Sequence, residues 1–323
     1  MDISDKRFIL TGGAGFIGSY LADLLLEEGA AEVVVFDTMH RGSYDNIQKA
    51  MSDPRFRFER ADIRHGYEIE NLFEGMDGCF HLAALRITEC AAKPMACHDV
   101  MLTGTMNTLD ACIKHNIKRV VFSSSASIYG LADEFPTYEM HHPYNDRTLY
   151  GVCKTWAEGA LRVFHNTYGL KSTSLRYFNV YGPRMDIYGK YTEVLIRWMD
   201  CFVAGVQPKI FGDGKQTMDF VHVTDVARAN ICAMKADCTE ESYNVAAGTE
   251  VSLLDLLYCL AKVWGVENLK PEFFPPRSVN PVPRRLASTE KSLANIGFSA
   301  SISLEEGLQD LVDWYRAAKR ITP

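Results

Sequence analysis

What most limits the folds open to this chain is its rhythm. Over roughly the first 180 residues, short β-branched runs alternate with longer helical patterns. RFILT is followed by a helix from about Gly15 to Glu28, then by AEVVVFD, FRFERADI and GCFHLAA. A helix through Asp110 and His115, the run RVVFSSSA, a helix from about Tyr150 to Tyr168 and the run STSLRYFNVYG complete the series. Strands that alternate with helices of this length predict an α/β fold, a parallel sheet joined by crossover helices. After Gly182 the rhythm stops. Pro and Gly rise through VAGVQPKIFGDG, and KPEFFPPRSVNPVP is too rich in proline for a helix interior. The spacing therefore predicts a first domain over 1–180 and a smaller mixed lobe over 181–323, some segments of which return to the first. SISLEEGLQDLVDWYRAAK closes the chain as an amphipathic helix, with Ser303 as N-cap and Glu306 three residues on.

Composition narrows the function classes. The 323 residues carry 34 Lys plus Arg against 41 Asp plus Glu, a net charge of −7, and are 47% hydrophobic. That is ample for a core and excludes disorder. No Lys/Arg block is present, which argues against a nucleic-acid surface and for small-molecule ligands. No apolar run approaches the roughly 18 residues of a membrane span, and MDISDKRFIL lacks the apolar core of a secretory signal. The nine cysteines are scattered, without a CxxC pair or a His/Cys grouping at metal-ligand spacing. Reduced thiols in a cytoplasm, and no metal, are expected.

TGGAGFIG directly follows the strand RFIL and opens a helix. In that setting Gly12, Gly15 and Gly18 serve a tight turn, a bare backbone for a pyrophosphate and close helix packing. The free N–H groups of the helix start, around Phe16 and Ile17, favour the phosphate charge. Asp37 ends the next strand about 20 residues on, where a carboxylate accepts hydrogen bonds from an adenosine ribose. It repels a 2′-phosphate, so NAD is favoured over NADP, with Arg41 as the one nearby residue that argues the other way. Asp62 and Ile63 close the third strand, where an Asp can meet the adenine amino group or simply be solvated. Leu82, Ala83 and Ala84 follow a strand, and their small side chains let backbone pass close to a ligand.

Tyr150 and Lys154 stand four apart at a helix start, so they share a face. A free phenol titrates near pH 10 and is a poor base at neutrality. A neighbouring ammonium and a positive nicotinamide are expected to lower it, giving a phenolate that takes a proton from a sugar hydroxyl. Ser125, at the end of RVVFSSSA, is placed to align the same hydroxyl.

TGGAGFIG, Asp37, HLAA, FSSSASIYG, Tyr150-G-V-C-Lys154, LRYFNVYGPR, GDGKQTMDFVHVTDVA and the closing helix occur in the order found in extended short-chain dehydrogenase/reductases. Within that family the chain most resembles the nucleotide-sugar epimerases of the UDP-glucose 4-epimerase type. The resemblance implies a Rossmann-type doubly wound sheet holding NAD, with a C-terminal lobe that closes over a nucleoside-diphosphate sugar, most simply a UDP-sugar. It places Ser125, Tyr150 and Lys154 on the catalytic positions, with Lys154 also bonding the nicotinamide ribose. Tyr177 and Phe178 line the cofactor pocket, Asn179 touches the substrate diphosphate, and Arg277 matches the diphosphate-binding arginine. Arg86 lies on the rim facing the sugar. The implied reaction removes a hydride from C4, turns the 4-keto sugar and returns the hydride to its other face. A homodimer is implied through the helices around Gly104–His115 and Tyr150–Tyr168.

Several positions depart from the family pattern. Met218 stands where relatives carry an arginine, which shifts phosphate binding towards Arg277 or Arg184. Met101 replaces an asparagine near the active-site strand, Cys153 a serine, and Arg277-S-V-Asn280 loses a carboxylate. A 4,6-dehydratase needs an acid and a base where this chain has Ala126 and Ser127, so epimerisation is the stronger expectation. A decarboxylase and a non-catalytic dinucleotide sensor are the remaining readings.

Overall fold

The computed structural model describes residues 1–189, 192–267, 269–276 and 282–321. The first part runs β1 (Arg7–Thr11), α1 (Phe16–Glu27), β2 (Glu32–Asp37), α2 (Tyr44–Met51), β3 (Phe56–Arg60), α3 (Gly66–Ile69), β4 (Gly78–His81), α4 (Ile87–Ala92), α5 (Pro94–His98), α6 (Gly104–Lys114), β5 (Arg119–Ser125), α7 (Leu149–Tyr168) and β6 (Lys171–Tyr177). It is followed by β7 (Asn179–Tyr181), α8 (Val194–Ala204), β8 (Lys209–Phe211), β9 (Thr217–His222), α9 (Val223–Lys235), β10 (Glu241–Val245), β11 (Glu250–Ser252), α10 (Leu253–Trp264), β12 (Glu272–Phe274), α11 (Glu290–Ile296) and α12 (Leu304–Lys319).

Seven strands form one sheet in the order β10-β6-β5-β4-β1-β2-β3, with every pair parallel. Alternation along the central strands explains their unbroken apolar sequence. Phe8, Leu10, Val33 and Val35 face the layer of α1 and α9, while Ile9, Val34 and Phe36 face that of α6 and α7. Each such side chain taken wholly out of water contributes about 1.5–3 kcal/mol. The strand order reverses at β1, which pairs with β2 on one side and β4 on the other. A crevice opens beyond the C-terminal ends of strands at such a reversal.

The lobe is built on a three-stranded sheet, β11-β9-β7, and a two-stranded one, β12-β8. Trp198, Met199, Leu256, Leu260, Leu308 and Tyr315 fill its core between α8, α10 and α12. α9 and β10 leave the lobe and complete the large sheet, and α11 packs against them.

Two expected boundaries differ. STSLRYFNVYG is not one strand: Phe178 gives its N–H to the Val245 carbonyl at 3.0 Å, and the chain then passes from the large sheet into the lobe sheet as β7. The third strand stops at Arg60, so Asp62 and Ile63 lie in the turn after it. Asp62 closes that turn by accepting the backbone N–H of Arg64 at 2.9 Å. Ser303 and Glu306 form a reciprocal capping box on α12. No helix among the described residues is long and apolar enough to cross a membrane.

Candidate active site

Between the large sheet and the lobe lies a cleft of about 2190 Å³, reaching from Gly12 to Trp314. At its first wall, Gly12 takes φ +67°, and a Cβ there would lie 2.8 Å from Cα of Ala83. The turn therefore packs directly on the Leu82–Ala84 segment, whose N–H groups at 82 and 83 are given to the Thr11 hydroxyl at 3.1 and 3.0 Å. Gly15 caps α1 with extended backbone and no side-chain bond. The first residues of that helix, Phe16, Ile17 and Gly18, line the cleft, and the leading N–H groups of a helix have no acceptor within it. A Cβ on Gly18 would lie 2.6 Å from Gly13 Cα, so helix and turn touch. This bare, donor-rich cradle fits a dinucleotide pyrophosphate.

Asp37 lines the same cleft and accepts the Met39 N–H at 2.8 Å. Burial pushes its carboxyl above the usual range, and backbone N–H bonds pull it partly back. Two ribose hydroxyls are the natural partners for such a carboxylate. Asp62, also in the cleft, forms a forked ion pair with Arg64, with closest approach 2.6 Å. Burial raises its carboxyl, but Arg64 outweighs this and leaves it low. Arg41 gives a hydrogen bond to Asp186 of the lobe at 2.9 Å.

Tyr150 and Lys154 occupy the first two turns of α7, which starts cleanly because Thr148 accepts the Gly151 N–H at 3.1 Å. The Lys154 ammonium lies 5.6 Å from the Tyr150 ring centroid and gives a hydrogen bond to the Ser123 carbonyl at 2.5 Å. Burial holds this lysine down at about 8. Burial also pushes the Tyr150 phenol well above its usual range, with the Ser125 hydroxyl pulling it back by a hydrogen bond. The expected lowering of the phenol includes the charge of a bound nicotinamide. In the protein alone, loss of hydration is the largest influence on the phenol, while the Lys154 ammonium is engaged with the Ser123 carbonyl. Ser125 itself is fixed by accepting the Ser127 N–H at 3.1 Å.

Met101 resolves one departure from the family pattern. It is buried with Cys90, Cys97 and Cys153 in an apolar nest against Tyr150 and Leu85, so packing replaces the hydrogen bonds of an asparagine. Tyr177 lines the floor with its hydroxyl 2.9 Å from Ser123 Oγ and bonded to Asn230. Asn179 faces the cleft while giving a hydrogen bond to the Asp219 carbonyl at 3.0 Å. Ile63, Ala84 and Arg86 line it too, Arg86 with Glu193 3.3 Å away. Arg184 reaches the cleft but is committed to Asp23, 2.7 Å away, over the ring of Tyr20. Met218 lies on the lobe wall. Arg277 is outside the described residues.

The chain matches the NAD dependent epimerase/dehydratase family over residues 8–246. It belongs to that family. It is 34% identical to a UDP-glucose 4-epimerase of Mycolicibacterium smegmatis over 313 residues, covering 96% of this chain and 98% of the relative. Among solved structures, it is similar to a UDP-glucose 4-epimerase of Thermotoga maritima with UDP-glucose, at a TM-score of 0.90, 32% identity and coverage of 97% and 99% of the two chains. It is likewise similar to a UDP-glucose 4-epimerase of Thermus thermophilus in complex with NAD, at a TM-score of 0.86, 31% identity and coverage of 97% and 99%. The fold is thus the doubly wound one of this NAD-dependent family, as the glycine turn and strand rhythm predict.

Three parts of the site were not legible from sequence. Thr11 binds the neighbouring loop, the Ser123 carbonyl anchors Lys154, and Asp186 holds Arg41. Each joins residues far apart in the chain, and a hydroxyl, a backbone carbonyl and a lone carboxylate carry no spacing signal.

Proposed function

We propose that the chain interconverts the C4 epimers of a UDP-linked sugar, with NAD as a resident and regenerated cofactor. The observation that carries this reading is the meeting of Tyr150 and Lys154 in the cleft that also holds the glycine cradle, with the Ser125 hydroxyl hydrogen-bonded to Tyr150 from behind the lining. When bound, NAD supplies a hydride acceptor and donor, so that C4 is oxidised and reduced within one cycle. Ser125 aligns the sugar 4-hydroxyl against Tyr150 Oη. As the phenolate, which the positive charges of Lys154 and of bound NAD would favour against burial, Tyr150 takes the hydroxyl proton and later returns it. Lys154 holds positive charge beneath the phenol ring and offers its remaining donors to a ribose. Asn179 and Arg277 are assigned to the diphosphate, and the aromatic lobe wall of Phe211, Phe220 and Phe274 to the far end of the substrate.

Where an eliminating relative needs an acid and a base, this chain presents buried Ala126 and the hydroxyl of Ser127. Neither relays a proton off carbon, which supports epimerisation over dehydration. The test is incubation of the purified protein with UDP-glucose, UDP-galactose, their N-acetyl forms and UDP-glucuronate, read by chromatography with mass detection. A new peak of unchanged mass is the expected result. Loss of water or of carbon dioxide from the product refutes it.

We further propose a homodimer through α6 and α7. Met106, Leu149, Val152, Val163 and Tyr168 are exposed apolar side chains on or beside these helices, and a second copy of the same face covers them. Sedimentation at micromolar concentration is expected to give twice the chain mass, and a monomer excludes it. The nine cysteines are all unpaired, in keeping with a reducing, cytoplasmic setting.

A further inference from the structure

Two basic side chains follow Asp37 at the adenosine end of the cleft, His40 and Arg41, and each is met by a carboxylate from a distant element. His40 Nε2 lies 3.1 Å from Glu89 of α4, and Arg41 lies 2.9 Å from Asp186 of the lobe. All four residues line the cleft. Asp186 is not a drifting surface acid. Its Oδ1 accepts the backbone N–H groups of Tyr188 and Gly189 at 3.1 and 2.7 Å, which leaves Oδ2 directed at Arg41. Two residues earlier Arg184 ties the same segment to Asp23 of α1 at 2.7 Å. The carboxylate is thus presented at a fixed place.

An arginine four residues past a ribose-binding aspartate is the kind of group that receives a 2′-phosphate, because its fork of donors matches phosphate oxygens. Here one Nη of that fork is already held by the Asp186 carboxylate, whose negative charge offsets its own. We propose that Asp186, a residue of the substrate lobe, is a determinant of cofactor specificity: by sequestering Arg41 it withholds the cation that NADP requires and keeps the site selective for NAD. Asp37 repels the 2′-phosphate directly, and Asp186 removes the group able to offset that repulsion. The inference rests on the dinucleotide reading of the cleft and adds to it a residue from outside the dinucleotide-binding half.

The test uses the full chain with its dinucleotide exchanged against equal concentrations of NAD and NADP, and reads by native mass spectrometry which of the two the protein carries. The wild type is expected to carry NAD. Asp186→Asn keeps the side-chain oxygen that caps Tyr188 and Gly189 but loses the charge, and is expected to shift the NADP-to-NAD ratio at least about tenfold towards NADP, the worth of one freed charge-assisted bond. Adding Arg41→Met to Asp186→Asn is expected to restore the wild-type ratio. Persistence of NAD in the spectrum reports that each variant is folded. An unchanged ratio in Asp186→Asn overturns the proposal, as does a shift that survives removal of Arg41. A wild-type protein that takes up neither dinucleotide overturns the cofactor reading itself, an outcome distinct from the other two.

Discussion

Burial acts on Tyr150 and Lys154 in one sense: it raises the phenol and lowers the ammonium, so both neutral forms gain. A lysine held at about 8 is still charged at neutral pH, and its charge is what a phenolate needs beside it. Turnover is therefore expected to decline above about pH 8, as Lys154 loses the proton whose charge a Tyr150 phenolate needs beside it. A profile that stays flat through that range contradicts the assignment, and Lys154→Met is expected to remove the alkaline limb. Tyr150→Phe deletes only the titrating oxygen. It is expected to cut kcat by about 100- to 10,000-fold while the protein retains NAD, which absorbance and activity together measure. The pairing of these two residues was legible because four positions on one helix fix a shared face. The strength of the burial acting on the phenol in the protein alone was not, since it depends on how deeply α7 is packed, and neither was the bond that holds Lys154 to the Ser123 carbonyl 31 residues away.

At the level of elements, the site is assembled from ends: the start of α1, the ends of β1, β2, β4 and β5, and the start of α7. Ends depend on caps. The Thr148 hydroxyl, two residues before Tyr150, satisfies a backbone donor in the first turn of α7. Thr148→Ala is expected to lower unfolding stability by about 1 kcal/mol in urea titration and to lower kcat more than it changes KM, because the frayed turn is the one that carries Tyr150. Equal kcat in a measurably destabilised variant argues that the turn is held by packing instead. Elements with a local signature could be read ahead: the glycine turn, Asp37 at its strand end, the capping box of α12. The split of the sixth run into β6 and β7 could not be. Phe178 is as suited to a strand as its neighbours, and only pairing with β10 on one side and β9 on the other decides where the strand breaks.

For the whole molecule, acid stability is governed in part by a polar chain inside the fold. His81 is buried between the hydroxyls of Thr11, 2.7 Å away, and Thr105, 3.0 Å away, and so ties β1 and β4 to α6. Burial depresses this imidazole to about 3. The unfolded chain takes up a proton near the ordinary value of 6.5 that the folded one refuses. Stability is fully present above 6.5 and is lost as the pH falls towards 3, by at most about 1.4 kcal/mol per pH unit from this group. Thermal melts from pH 7 to 4 are expected to show that decline, and a His81→Gln variant a shallower one.

Phe178 is a single residue between Tyr177, on the cleft floor, and Asn179, on the lobe sheet. With so short a splice, a substitution that re-aims one neighbour disturbs the other, and selection cannot retune sugar recognition there without risking the chemistry. Diversification is left to walls that touch the cleft but not the splice, such as Thr192, Glu193, Arg197 and Trp198 at the start of α8. New sugar preferences in descendants of this chain are thus expected to accumulate along α8, while the run from β6 into β7 stays nearly fixed.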